Sequence, residues 1–194
     1  MNNCTFFLLA LIYLSTISNI LSAQQIDFSP PQLGSEVSWC KSQLGYFNRH
    51  LDVTKGITNP EIVLINFELG KKISVAGDLK IFGVLVFNNH FIEATIDGRL
   101  IGYMNNGTRV QELLMDSKGS VCLSLCKIAD EGKFAILSLS SNNEKNDAKY
   151  EIKIIEIRDA KFEVVKTFPA VEFGKLIYQF DHIWLIGRKQ ATQY

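Results

Sequence analysis

The chain is poor in the residues from which catalytic centres are built. Of its 194 residues only three are histidine, four are cysteine and two are tryptophan. His50, His90 and His182 stand alone, without the HxxxH or HExxH spacing that sets two imidazoles on one helix face. There is no GxSxG nucleophile elbow and no glycine-rich phosphate loop. No metal cluster has a familiar ligand spacing, and no cofactor is implied. Among the carboxylates, Glu151 and Glu156 are five apart, so a regular strand points them to opposite faces. Glu93 and Asp97, four apart, come closest to a shared face, but Asp97 belongs to a turn. The chain therefore reads as a non-enzyme. Net charge is missing as well: 20 Lys+Arg balance 20 Asp+Glu, and no block of one sign occurs. Nucleic acids demand a basic face that neutralises phosphates, which argues against them as partners.

What is present begins with a targeting signal. Phe6 to Leu14 form an unbroken apolar run, diluted by Ser15, Thr16, Ser18 and Asn19 and closed by Ser22–Ala23. This predicts a secretory signal peptide over 1–23, cleaved after Ala23, and a secreted, extracellular protein. The run is too short for a spanning helix, which needs roughly 20 apolar residues. Cleavage removes Cys4 and leaves Cys40, Cys122 and Cys126. Four residues of strand span roughly 13 Å, and a disulfide needs Cα atoms within about 7 Å. Cys122 and Cys126 therefore cannot pair along one strand, and a disulfide would join Cys40 to Cys122 or to Cys126. Three buried free thiols are the alternative. Asn106-Gly107-Thr108 is a glycosylation sequon on a predicted turn, so Asn106 is a candidate glycan carrier; a plain Asn-Gly turn is the alternative.

Residues 24–61 read as a lead-in segment. Val37, Cys40, Leu44, Phe47 and Leu51 recur at spacings of 3, 4, 3 and 4, which predicts one short helix over 35–51. From 62 to 194 the period becomes two. Predicted strands cover 62–69, 72–76, 80–87, 90–96, 99–104, 109–114, 120–128, 133–140, 150–157, 161–168, 175–180 and 183–187. Asn88–Asn89, Asp97–Gly98, Asn106–Gly107 and Glu131–Gly132 mark the turns, and Asp97–Gly98 is the strongest hairpin signal. A polar loop spans 140–149. Short strands at this spacing predict an all-β domain, an antiparallel β-sandwich or a barrel. Grouping the strands in fours, with breaks near Leu114 and Phe168, suits the blades of a β-propeller fragment instead.

The stretch GVLVFNNHFIEATIDGRLIGYMNNG, 83–107, resembles the front half of a laminin G-like domain. IWLIGRKQ resembles that family's closing strand. The likeness implies a jelly-roll, concanavalin-like sandwich that binds glycans or proteins through loops at one rim. His90 stands where calcium-binding members place an acidic residue, so metal-dependent binding is not implied. On this reading the rim residues are Asn88, Asn89, His90, Tyr103, Asn105 and Arg109, which flank predicted turns. Lys71, Lys72 and Lys80 would form a basic patch if their strands were neighbours. The expected function is an extracellular binding or adhesion module for a glycan or protein. The alternatives are a secreted, lipocalin-like carrier of a small apolar ligand and a β-propeller interaction scaffold. The oligomeric state is not legible.

Overall fold

Alternating runs fold as strands, but into a series of separate meanders rather than two facing sheets. The computed structural model describes residues 37–48, 51–52, 56–57, 60–115, 120–142, 147–159 and 161–194. The expected signal peptide lies outside them. The first sheet has the order β1 (Ser38–Cys40), β2 (Gln43–Asn48), β5 (Glu61–Asn66) and β6 (Lys71–Ala76). A two-residue hairpin of β3 (Leu51–Asp52) and β4 (Gly56–Ile57) is inserted between β2 and β5. The second sheet contains β7 (Ile81–Val86), β8 (His90–Thr95), β9 (Arg99–Met104) and β10 (Arg109–Leu114). The third contains β11 (Ser120–Ala129), β12 (Lys133–Asn142), β13 (Asp147–Arg158) and β14 (Lys161–Ala170). The fourth has three strands, β15 (Gly174–Gln179), β16 (His182–Gly187) and β17 (Ala191–Gln193).

The sheets stack in series through apolar faces. Cys40, Phe47 and Ile62 of the first meet Val86, Phe91 and Tyr103 of the second. Phe87, Ile92 and Leu100 of the second meet Leu125, Phe134 and Ile136 of the third. Ala135, Leu137 and Ile152 of the third meet Leu176, Ile183 and Leu185 of the fourth. In β12 the consecutive residues 134–138 are therefore all buried, because successive side chains point to opposite faces and both faces are covered. The first strands of all four sheets border one axial groove, lined by Ser38, Val84, Leu125 and Lys175 among others. This is the layout of a four-bladed β-propeller, in which radial repetition of small sheets replaces two large ones.

Two glycines let the inner strands approach. A Cβ on Gly45 would lie 2.2 Å from Val86 Cγ2, and one on Gly83 would lie 2.5 Å from Leu125 Cδ2. Both distances are shorter than any tolerated contact, so only glycine fits without repacking.

Several expectations are corrected. The sandwich, its laminin G-like form and the lipocalin-like barrel all fail, because the strands belong to separate sheets of at most four strands. Residues 83–107 are instead the first three strands of the second blade, with the Asp97–Gly98 turn where it was expected. No helix occurs among the described residues, so the helix over 35–51 is wrong for 37–48. There Lys41 adopts a φ of 52°, turning the chain between β1 and β2. The spacing misled because β2 is covered on both faces: Leu44 and Tyr46 sit on one side, Phe47 on the other. The disulfide also fails: Cys40, Cys122 and Cys126 are free thiols. Each serves a different interface, Cys40 the first, Cys122 the second and Cys126 the third.

Candidate binding site

Antiparallel meanders place alternate turns at the same end of a sheet. The turns β5–β6, β7–β8 and β9–β10 gather in this way, and a cleft of about 420 Å³ opens there between the first two blades. Gln43, Asn66 and Lys71 line it from the first blade, and Asn88, Asn89, Asn105 and Asn106 from the second. Leu64, Leu69 and Ile73 supply apolar wall.

The carboxamides are organised by hydrogen bonds that cross the blades. Asn105 Nδ2 donates to Gln43 Oε1 and to the Asn88 carbonyl, both at 2.8 Å. Gln43 Nε2 donates to the same carbonyl at 3.4 Å. The Asn88 N–H donates to the Asp130 carbonyl of the third blade at 2.9 Å, and its Oδ1 accepts from Cys40 Sγ at 3.5 Å. Asn88 thus ties three blades together as well as bordering the cleft. Asn66 Oδ1 accepts from the Leu69 N–H at 2.9 Å, shaping the turn that carries Leu69 to the cleft. One acceptor stands apart: Asn105 Oδ1 is buried and has no hydrogen-bond partner among the described residues. Buried polar atoms are nearly always paired, so this one is an exception within the residue that bridges the two blades.

The sequence-predicted residues divide. Asn88, Asn89, Asn105 and Asn106 converge on the cleft. His90, Tyr103 and Arg109 do not line it. His90 is partly buried at the start of β8, and burial lowers its pKa. Tyr103 is buried, stacks on Phe91 at 4.8 Å, and donates from its hydroxyl to Glu93 Oε2 at 3.0 Å. Arg109 is exposed and paired with Glu112. Gln43 and Asn66 were missed, since no spacing reveals that the first blade's turns lie beside the second's. Lys71 was singled out for a basic patch, but Lys80 instead pairs with Asp97 at 2.9 Å, close to the Arg99–Asp78 bridge of 2.7 Å.

Glu93 and Asp97 do not make a shared acidic site. Glu93 is fully buried, receiving the Asp78 N–H and the Tyr103 hydroxyl, and burial raises its pKa. At Asp97, burial opposes ionisation, but bonds from Thr95, Lys80 and Arg99 outweigh it and hold the carboxyl well below its usual range. No group of three His, Cys, Asp or Glu residues among those described could hold a metal ion. Carboxamides donate and accept hydrogen bonds without titrating near neutral pH, so the cleft is equipped for recognition.

A second recess, the axial groove, is also about 420 Å³. Val84, Leu85 and Leu125 give it an apolar wall; its Lys127 is held by Asp130 at 2.7 Å and by the Trp39 carbonyl. Trp39, which also lines the groove, stacks on Phe67 with centroids 5.9 Å apart, and each is about half exposed.

No family model matches this chain, and no curated protein matches it either. Solved structures do. An acylaminoacyl peptidase in complex with Z-Gly-Gly-Phe-chloromethyl ketone superposes with a TM-score of 0.58 at 10% identity. It covers 82% of this chain and 32% of that one. Pyrococcus horikoshii acylaminoacyl peptidase, in an orthorhombic crystal form, gives 0.56 at 10% identity with the same coverage. The chain thus spans about a third of the length of the structures it resembles, and at this identity the likeness is one of fold: the four stacked meanders are β-propeller blades.

Proposed function

We propose that this protein is a secreted β-propeller binding module, not an enzyme, and that it holds a neutral, hydroxyl-rich ligand in the cleft between its first two blades. A glycan is the ligand class that suits the residues best. Sugar hydroxyls both donate and accept, as carboxamides do, and Leu64, Leu69 and Ile73 suit the apolar face of a pyranose ring. The observation that carries the reading is the convergence of Gln43, Asn66, Asn88, Asn89, Asn105 and Asn106 on one cleft with an apolar wall. The carrier alternative loses its support with the barrel. A second reading, a protein ligand, draws on the half-exposed Trp39–Phe67 stack, since paired exposed aromatics suit protein contacts.

The test is binding of the unglycosylated protein to a glycan array, with and without a chelator. The expected result is binding that survives the chelator and falls at least tenfold in Asn89→Ala and Lys71→Ala. An array that stays blank under both conditions removes the glycan reading and leaves the protein ligand.

A further inference from the structure

Asn106 is both a wall of the cleft and the acceptor of a sequon. Its side chain is exposed, and its Oδ1 accepts from the Thr108 N–H at 2.9 Å, closing a turn over Gly107, whose φ is 86°. The Gly107 N–H donates to the Met104 carbonyl at 2.9 Å, and the Met104 N–H to the Thr108 carbonyl at 2.9 Å. The turn engages the oxygen of the carboxamide and the surrounding main chain, but not Nδ2. A substituent on Nδ2 is therefore compatible with every bond that shapes the turn. It would also start at the mouth of the cleft.

We propose that Asn106 carries an N-linked glycan, and that this glycan roofs the carboxamide cleft and competes with any external ligand for it. The inference rests on the proposed secretion and deepens the proposed binding role. In the transfer step, Asn106 Nδ2 attacks the anomeric carbon of a lipid-pyrophosphate-linked oligosaccharide. The N–C bond forms as the C–O bond to pyrophosphate breaks, the amide loses one proton, and the lipid pyrophosphate leaves. Nothing is oxidised or reduced. Folding then sets the first sugar beside Asn105, Asn89 and Lys71, whose donors and acceptors are those an external sugar would use. The unmodified chain is the open form of the site, and the modified chain is the closed one.

The experiment expresses the full chain in a eukaryotic secretory host and, separately, in bacterial cytoplasm. The intact mass of the secreted protein should exceed that of its polypeptide by a glycan. A peptide-N-glycosidase should remove the excess, and Asn106→Gln and Thr108→Ala should each abolish it. Hydrogen exchange in segments 66–71 and 88–89 should be at least threefold slower in the glycosylated form, a readout that needs no added ligand. Secretion with Asn106 unmodified, or failure to be secreted at all, overturns the proposal. A glycan present with unchanged exchange in those segments overturns the roofing of the cleft. Array binding by the unglycosylated protein is the separate measure of the glycan-recognition reading, so a blank array from that form, with slowed exchange in the glycosylated one, would sink that reading alone.

Discussion

Asn105 reaches across the boundary between the first two blades to Gln43, 62 positions earlier in the chain, with its Nδ2 2.8 Å from Gln43 Oε1. The same nitrogen donates to the Asn88 carbonyl, so one side chain fixes the spacing of two turns, while its own oxygen is buried without a partner among the described residues.

That arrangement predicts opposite results for two small substitutions. Asn105→Asp replaces the donor with oxygen against two acceptors and should destabilise the fold by about 1–3 kcal/mol, the cost of unpaired buried polar groups. Asn105→Gln keeps the chemistry and should cost less. Urea denaturation midpoints measure both; an Asp variant as stable as the parent would show that the bridge contributes nothing.

Glu93 predicts a pH dependence. Burial raises its carboxyl above the ordinary 4.5, against bonds from Asp78 and Tyr103 that lower it. A raised folded value means the folded state binds the proton more tightly than the unfolded one. That stabilisation is complete below 4.5 and is lost as the pH rises through the folded value. Glu93→Gln should remove this slope and be the more stable protein at pH 7. Thermal melts from pH 4 to 8 would decide it, and a Gln variant that melts lower at pH 7 would reject the assignment.

Gly83→Ala should destabilise by roughly 1–3 kcal/mol, because the new methyl meets Leu125 and the interior is already filled. The obstacle is a side-chain tip, not backbone, so Leu125→Ala in the same chain should recover part of the loss. A double-mutant cycle measures the coupling, and strict additivity would place the strain elsewhere.

The thiols predict a chemical result. Burial pushes Cys122 and Cys126 up to about 12 and also raises Cys40. Thiolate is the reactive form, so the native protein at pH 8 should react slowly with a maleimide at all three positions and quickly once unfolded. Labelling followed by peptide mass mapping reads each site. Two thiols that stay unreactive after unfolding without reductant would reveal a disulfide.

Much of the strand pattern was legible. The run predicted over 99–104 is β9, and that over 109–114 is β10, because each is bounded by Asp-Gly or Asn-Gly chemistry that fixes the turn. The breaks near Leu114 and Phe168 mark where blades end, at Leu114 and Ala170. What misled was the choice between architectures with the same local period. A sandwich sheet wets one face, whereas a middle blade wets neither, and the difference shows only in runs such as Phe134-Ala135-Ile136-Leu137, apolar at every position. The cleft was half legible: Asn88, Asn89, Asn105 and Asn106 were found through their turns. Gln43 and Asn66 were not, since their relevance comes from a neighbour in space that lies far along the chain.

Among the described residues three apolar clusters join the blades in series, so this part of the molecule is mechanically a row of three joints. A ligand or glycan seated beside Asn105 grips only the first. It should stiffen that joint while the three-stranded last blade, whose Phe173 and Phe180 are exposed, still opens from its outer side. Occupancy of the cleft would then be felt as a gradient of rigidity along the chain rather than as a uniform gain in stability.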